Sequence, residues 1–208
     1  MSKRAGTVSA ETREAILCSA QKEFAQKGFR NTSLRQICAE AGVTTGAVYF
    51  FFKGKDDLFA SVVAQVTKPF MEYMQEHYRA EHSFLEKEDT DNLKQDLDIS
   101  VRLIDFYFQN KEIWDIIRCH LDHPAVRKFL DEFVDVSTEH YLYLLTMAER
   151  AHPRSHPIDW FAVHQYVHMQ ADTMLTLISH GFDREELIQH AAVVTRMLRG
   201  AFNTLLSD

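Results

Sequence analysis

The sequence predicts an all-α protein, and three observations carry that prediction. Long segments of the 208-residue chain repeat apolar residues with a helical period. No segment alternates between apolar and polar residues in the manner of a half-buried strand. Only seven glycines and four prolines interrupt the chain, and most of them fall where one segment ends and the next begins. The segments between them predict about nine or ten helices.

The first three predicted helices are short or moderate in length. They cover about residues 10–26, 34–41 and 45–52. The residues expected to cap or end them are Gly28, Thr32 or Ser33, Gly42 and Thr44.

The remaining helices are longer. A fourth starts at Lys55 and continues toward Arg79, with Pro69 expected to kink or interrupt it. A polar linker is expected over residues 81–92 and a break over residues 152–157. The other predicted helices cover residues 93–110, 111–121, 124–151, 158–179 and 183–206.

Charge is unevenly distributed along this acidic chain, whose formal net charge is −7. Residues 1–60 carry nine Lys and Arg against six Asp and Glu, so the acidic excess lies in the remainder. This pattern argues against a surface coated with nucleic acid and confines any polyanion contact to the N-terminal region.

The sequence lacks the marks of a secreted or membrane-spanning protein. No run approaches the roughly 18 apolar residues of a membrane span, and no apolar stretch follows the basic N-terminus. Cys18, Cys38 and Cys119 are too widely spaced for a disulfide framework or a zinc finger. We therefore expect a cytoplasmic protein without membrane contact.

Residues 32–52 have the spacing of a helix-turn-helix, with the turn AGVT between two short helices. Val48 and Phe52, four residues apart, face inward if the second helix packs on the first. The outward residues are then Thr45, Gly46, Ala47, Tyr49 and Phe50. Small residues permit close approach to DNA, and the threonine and tyrosine hydroxyls reach bases or phosphates.

Three consecutive phenylalanines, Phe50, Phe51 and Phe52, end this segment. Successive helical residues lie about 100° apart, so the three rings cannot all face one core. We predict that Phe52 is the core residue. Phe51 either turns in against the fourth helix or contacts DNA, and the sequence leaves both open.

The stretch from Glu11 to Phe59 resembles the DNA-binding region of the TetR family of bacterial transcriptional regulators. The residues that carry the resemblance, in order, are Ile16-Leu17, Phe24, Gly28-Phe29, Thr32-Ser33, Ile37, Ala41-Gly42-Val43, Gly46, Tyr49, Phe52, Lys55 and Leu58. The other residues resemble the family only in number and all-helical character.

The resemblance implies a homodimer that binds a near-palindromic operator in double-stranded DNA, usually as a repressor, and that a small-molecule effector releases. It implies a helix-turn-helix DNA-binding domain at residues 1–55 and a ligand-binding and dimerisation domain at 56–208. By position, the implied phosphate contacts are Thr32, Ser33, Tyr49 and Lys55. The residues implied to lie in or beside the groove are Arg35, Thr44, Thr45, Gly46, Ala47 and Phe50.

The chain departs from the family at the phenylalanines, because the family often shows Tyr-His-Phe where this chain has Phe50-Phe51-Phe52. A phenylalanine offers DNA only apolar contact with sugars or thymine methyl groups. Hydrogen bonds at the first two of these positions therefore do not carry over.

The middle helices are rich in aromatic residues and methionine, which line apolar ligand pockets and also fill ordinary cores. The resemblance favours a pocket for a small, largely apolar effector. The residues expected to line it are Phe70, Met74, Phe106, Trp114, Phe133 and Tyr141.

The last two predicted helices carry apolar stripes with the spacing of a helix bundle. Internal packing alone explains such stripes, and the resemblance favours pairing with a second copy. The expected dimerisation residues are Trp160, His164, Val167, Ala171, Met174, Ala191, Val194 and Leu198.

Eleven histidines raise the question of a metal site. His164, His168 and Asp172 share one helical face, and His120 and His123 flank Asp122. Neither group has a recognised metal-site pattern, so we expect packed histidines, no metal and no cofactor, although the His164 face stays open.

Two rival functions remain at this level. One is a helical ligand-binding or enzymatic domain whose N-terminal region does not bind DNA, and the other is a regulator controlled by a protein partner. The chain has no nucleophile elbow, phosphate-binding glycine loop or paired catalytic carboxylates. We therefore expect that it is not an enzyme.

Overall fold

The computed structural model describes residues 2–85, 93–151 and 157–206. Over these ranges it contains nine α-helices and no strand, which confirms the predicted all-α class. The helices are α1 Ser2–Asn31, α2 Leu34–Ala41, α3 Thr45–Phe51, α4 Lys55–Leu85, α5 Leu93–Gln109, α6 Lys111–Cys119, α7 Pro124–Ala151, α8 Trp160–Ser179 and α9 Arg184–Leu206.

Helix α4 continues through Pro69, so the expected interruption is wrong. Proline removes one helical N–H, which leaves the carbonyl of Gln65 without its donor. Both residues are exposed, so the helix surface at this point is open to water. Val66 before the proline and Met71 after it are buried, and their packing stabilises the helix on both sides.

The two predicted breaks lie largely outside the described residues. Helix α4 extends to Leu85 and so occupies the first part of the expected linker, whereas residues 86–92 are not described. Residues 152–156 of the second break are likewise outside the described part. Within that part, none of the helices combines the length and apolar character needed to cross a bilayer.

The chain divides into two compact units. One contains the chain up to Pro69 together with Asn110–Lys128, and the other contains Phe70–Gln109 together with Phe129 onward. The division at residue 55 drawn from the family resemblance concerns function and stays a prediction.

The first unit is built on apolar faces of α1 to α4 and α6. Three aromatic rings lie at its centre, with the Phe59 ring centroid 5.1 Å from those of both Phe24 and Phe29. The side chains with no more than 2% of their surface exposed include Ile16, Leu17, Ala20, Phe24, Ile37, Val48, Phe52, Leu58, Phe59, Val62, Ile116 and Ile117.

The second unit has a core on α7, α8 and α9. Its buried centre is Val134, Tyr166, Val167 and Leu198, with Phe133, Tyr141, Val194, Ala201, Phe202 and Leu205 packed against it. Polar contacts join α5 to α9: the hydroxyls of Ser100 and Thr195 lie 3.0 Å apart, and Arg199 donates to Asp96 at 2.6 Å.

Candidate DNA-binding surface

The turn between α1 and α2 is formed by Gly28 and Thr32. Gly28 has φ 73° and ψ 165°, a conformation that glycine adopts readily and other residues avoid. The Thr32 side chain is buried, and its hydroxyl lies 2.9 Å from the Gly28 carbonyl oxygen and 3.1 Å from that of Glu23. Thr32 therefore holds the turn in place through its side chain.

Both ends of α2 are closed by local hydrogen bonds. The Ser33 hydroxyl accepts from the Gln36 N–H, and the Gln36 side chain accepts from the Ser33 N–H, which is a capping box. At the other end Gly42 has φ 65° and donates to the Ala39 carbonyl at 3.3 Å. Of the two predicted caps, Ser33 is the one that acts.

Helix α3 begins at a cap and turns one side toward the core. The Thr44 hydroxyl accepts from the Ala47 N–H at 3.3 Å, as predicted. Val48 is fully buried, and Phe52, the residue at the end of the helix, is 2% exposed. The inward pair Val48 and Phe52 therefore braces α3 against the rest of the unit.

The opposite side of α3 is open to solvent. Tyr49 is 61% exposed and Phe50 is 77% exposed, which is unusual for large aromatic side chains. Other predicted contact residues are exposed or half-buried around them, namely Ser33, Arg35, Thr44, Thr45, Gly46 and Ala47. Eight of the ten residues predicted to bind DNA are thus at least partly accessible to solvent.

The other two predicted contacts are engaged with the protein itself. The first is Thr32, whose side chain is buried. The second is Lys55, whose ammonium donates to the carbonyl oxygens of Phe29 at 2.9 Å and Thr32 at 3.0 Å. It also lies 4.5 Å from the centroid of the Phe29 ring. The role of both residues at DNA stays a prediction.

The three phenylalanines have three different environments. Phe50 is exposed, Phe51 is half-buried and Phe52 is buried. The Phe51 ring stands edge-on to Phe50 at 4.9 Å and lies 6.3 Å from Phe52. The Arg13 guanidinium lies 5.4 Å from the Phe52 ring centroid and adds a favourable cation–π contact.

Sequence reasoning missed the role of His120 and His123. The Phe29 N–H donates to His120 Nε2 at 2.9 Å, and His120 Nδ1 donates to the Ile116 carbonyl at 2.7 Å. The His123 ring packs 4.1 Å from that of Phe59, and burial lowers the pKa of His123. His120 thus supports the end of α1 through a contact across 91 positions, and the His123 ring contacts the same end at 4.7 Å from the Phe29 ring. Contacts between residues so far apart in sequence leave no local pattern.

Five of the six predicted ligand residues belong to the second unit, and Trp114 belongs to the first. Phe70 is central among the five, with ring centroids of Phe106 at 6.3 Å and Phe133 at 5.9 Å. Phe129, which the sequence analysis left out, lies 5.7 Å from Phe70. A ligand role for any of them stays a prediction.

The eight predicted dimerisation residues fall into three groups by burial. Val167, Ala191 and Leu198 are buried in the core of the second unit, so internal packing already accounts for them. Trp160 is 55% exposed. The others, His164, Ala171, Met174 and Val194, are half-buried.

The histidine face of α8 is only a pair. His164 Nε2 and His168 Nε2 lie 3.2 Å apart, and the Trp160 ring stacks on His164 at 4.8 Å. Asp172, one turn further, is exposed. Across the described residues no group of three or more His, Cys, Asp or Glu side chains is placed to hold a metal ion.

Helices α2 and α3 are short and capped, and α2 braces α3. Helix α3 exposes small, hydroxyl and aromatic side chains. Together they define a helix-turn-helix of the DNA-binding class. Residues 16–62 match the family of bacterial regulatory proteins called the tetR family. This match confirms, for the N-terminal region, the resemblance to the TetR family that the sequence showed.

Curated relatives share this region of the chain. The HTH-type transcriptional repressor BepR of Brucella suis is 40% identical over 80 residues, which is 38% of each chain. The HTH-type transcriptional regulator AcrR of Shigella flexneri is 44% identical over 62 residues, 30% of this chain and 29% of that one. The aligned stretches thus span well under half of these relatives.

Solved structures resemble the whole chain in fold. The transcriptional regulator FadR from Bacillus subtilis, in complex with stearoyl-CoA, has a TM-score of 0.60 at 15% identity over 93% of this chain and 97% of its own. SmeT, the repressor of a multidrug efflux pump of Stenotrophomonas maltophilia, has a TM-score of 0.59 at 21% identity over 94% and 88%. At these identities the likeness shows a shared fold.

Proposed function

We propose that this protein is a ligand-responsive transcriptional regulator that binds a palindromic operator as a homodimer and acts as a repressor. The observation that carries the proposal is the solvent-exposed face of α3, where Tyr49 and Phe50 stand beside small and hydroxyl side chains. Two adjacent aromatic rings that are open to water are typical of an interaction surface. A recognition helix requires such a surface to enter the major groove.

We propose that residues 1–55 bind DNA and that their contacts divide by side-chain environment. Ser33, Arg35 and Tyr49 suit phosphate and groove contacts, because their polar ends are exposed. Thr32 and Lys55 act by positioning α2, since their side chains already bind backbone carbonyls. This division separates the residues that contact DNA from the residues that hold the contacting helix in place.

Gly46 provides a test in which stability and DNA binding move in opposite directions. A Cβ added there would meet only the Thr44 hydroxyl oxygen, at 3.7 Å, so Gly46→Ala fits the folded protein. Alanine favours the helix, so the free energy of unfolding should rise by about 0.5–1 kcal/mol. Operator binding should weaken by about 1–3 kcal/mol, because the methyl group stands on the surface that approaches DNA.

Urea denaturation and fluorescence anisotropy with a labelled operator duplex measure the two quantities. Gly54→Ala is a matched control, since that position also has open space but lies beyond α3. Unchanged operator affinity in Gly46→Ala would place α3 away from the DNA and contradict the proposed interface.

We propose that the homodimer forms through α8 and α9. The residues proposed for the interface differ from most of those predicted from the sequence on these two helices. Met169 on α8 and Val193 and Met197 on α9 are large apolar side chains that are 43%, 53% and 68% exposed. Exposed apolar side chains of this kind form the surface that a stable homodimer buries. A two-fold axis there would present two recognition helices to two half-sites.

Met197→Asp tests this dimer. The side chain is exposed, so the charged residue should leave the fold intact while its burial between two copies is costly. Analytical ultracentrifugation should show a shift from dimer to monomer. Operator affinity should also fall, because a monomer cannot bind both half-sites at once. Asn203→Asp, at another exposed position on α9, is the control. An undiminished dimer in Met197→Asp would exclude this face.

We propose that the effector is small and largely apolar and that residues 56–208 bind it. The aromatic group of Phe70, Phe106, Phe129 and Phe133 supports an apolar ligand. A regulator of the same fold holds stearoyl-CoA, so the fold accommodates a long apolar chain. DNA and effector would favour different conformations, so each would weaken the binding of the other.

The proposal also places the protein in the cytoplasm and assigns it no enzymatic activity, as its relatives are transcriptional regulators. The deciding experiment selects bound sites from a random duplex library with purified protein at physiological salt. We expect an inverted repeat whose half-sites lie about 34–36 Å apart, one turn of DNA. Recovery of nothing above background, both before and after unfolding, dialysis and refolding to remove any bound effector, would contradict the proposal.

A further inference from the structure

The second unit contains a mostly buried carboxylate whose partners, among the described residues, are imidazoles and not a lysine or arginine. The Glu81 side chain on α4 is 13% exposed, and its Oε2 lies 3.4 Å from His140 Nε2 and 3.7 Å from His77 Nε2. Within the described part of the chain, no lysine or arginine forms an ion pair with it. Arg199, which acts on Glu81 electrostatically, is already paired with Asp96.

The imidazoles around Glu81 do not supply positive charge at neutral pH. Burial lowers the pKa of His140 to about 3, with His82 and His77 acting in the same direction. Burial also lowers the pKa of His77 and of His82. Burial raises the pKa of Glu81 to about 7, and the negative charge of Asp96 adds to that effect. A bound positive charge would therefore stabilise the ionised form of Glu81.

A stack of aromatic side chains meets this carboxylate at His140. The His140 ring stacks on Tyr78 at 3.9 Å and on His82 at 5.1 Å, and Tyr143 lies 3.9 Å from His82. The His82 and His140 nitrogens lie 3.0 Å apart, and the Tyr78 hydroxyl lies 2.9 Å from that of Ser137. Electron-rich ring faces beside a carboxylate attract a cationic group, as in sites that bind quaternary ammonium ions.

Helices α4 and α7, which carry Glu81 and His140, also carry an apolar region. Phe70, Met74, Tyr78 and Glu81 follow one another on successive turns of α4. On α7, Phe129 and Phe133 contact Phe70, whereas Ser137 and His140 contact Tyr78. Phe70 and Glu81 are thus about 16 Å apart along the helix axis. An apolar end and an acidic end follow each other along one helix pair.

We propose that Glu81 binds the head group of a cationic amphiphile, with its carboxylate paired to a quaternary or protonated amine and the ligand's apolar body lying toward Phe70 and Phe133. An anionic head would instead meet the like charges of Glu81 and Asp96. This inference rests on the proposed ligand-binding role of residues 56–208 and names the class of effector: an apolar molecule that carries a positive charge.

Three probes of equal chain length test the charge preference: decyltrimethylammonium, decanol and decanoate, each below its micelle concentration. Binding to the full-length protein is measured by isothermal titration calorimetry at about pH 8, where Glu81 is ionised. The cation should bind at least tenfold tighter than the other two. Glu81→Gln should abolish this preference, whereas Glu76→Gln, an exposed carboxylate on the same helix, should retain it.

A pH series of the wild-type protein gives a second readout that needs no variant. Decyltrimethylammonium does not titrate, so any change in its affinity comes from the protein. The titratable and charged groups near Glu81 are His77 and His82 on α4, Asp96 on α5, His140 on α7 and Arg199 on α9. Affinity should rise at least fivefold from about pH 6 to about pH 8, with proton release on binding, because Glu81 must lose its proton.

The outcomes separate this inference from the proposed function. Equal binding of the three probes, a preference for decanoate, a preference that survives in Glu81→Gln, or no binding of the cation would overturn the inference. If the cation binds through Glu81 without affecting operator binding, the inference stands and the proposed release by effector fails. If another, uncharged compound releases the operator while the cation does not bind, the regulator stands and Glu81 is not its head-group site.

Discussion

Phe52→Ala is expected to lower the free energy of unfolding by about 3–5 kcal/mol, because it removes a buried aromatic ring and leaves a cavity. Phe52 is 2% exposed and closes the end of α3 against the first unit, where it also lies under the Arg13 guanidinium. Loss of this ring removes the brace that holds the recognition helix. Urea denaturation followed by circular dichroism measures the change.

Phe50→Ala is the matched control two positions away in the same helix. Its side chain is 77% exposed, so the free energy of unfolding should change by no more than about 0.5 kcal/mol. Its effect should appear at the operator, as a changed base preference at one position with an unchanged dimer. Equal destabilisation by the two substitutions would contradict the assignment of Phe52 as the core residue. Uniform weakening across all DNA sequences would exclude Phe50 as a base-reading residue.

Glu81→Gln is expected to stabilise the protein at about pH 8 by up to about 3 kcal/mol relative to its effect at about pH 4. The pKa of Glu81 is about 7 in the folded protein and 4.5 as its ordinary value. Between these values the folded state retains a proton that the unfolded state has released, so wild-type stability falls as pH rises. Above about pH 7 the loss is complete, and glutamine, which cannot ionise, does not suffer it.

Thermal or urea unfolding of both proteins across this pH range measures the difference. His140 titrates in the opposite sense: its folded pKa is about 3, so its contribution is lost as pH falls below about 6.5. Because both proteins contain His140, its contribution largely cancels in the comparison. Glu76→Gln, at an exposed position on the same helix, is the control. A flat difference for Glu81→Gln would mean that water reaches the carboxylate freely.

Local sequence was sufficient for the helix-turn-helix itself. Ser33 and Thr44 cap the helices that follow them, and Gly42 ends α2 with a positive φ, each as predicted. Such features depend on hydrogen bonds over three or four residues and on the φ values that a residue tolerates. Residues close together in the sequence are therefore enough to predict these features. The spacing of Val48 and Phe52 also predicts which face of α3 turns inward.

Helical spacing predicted the apolar stripes on the last two helices. It did not predict which part of the protein, or of a second copy, buries each stripe. Val167, Ala191 and Leu198 lie in the core of their own unit, whereas Met197 and Val193 are exposed. Periodicity records that a side of a helix is apolar. Whether the chain's own helices or a second copy bury it depends on packing between elements, which the spacing does not contain.

Tertiary structure alone decided the contacts between distant residues. His120 accepts from the Phe29 N–H across 91 positions, and Glu81 meets His140 between α4 and α7. Neither pairing leaves a local pattern, because each partner sits in an ordinary helix or helix end. Composition, caps and periodicity thus determined the helices and the DNA-binding motif. Only the packing of those helices decided which carboxylate would be buried without a counter-charge, because burial depends on neighbours that arrive from elsewhere in the chain.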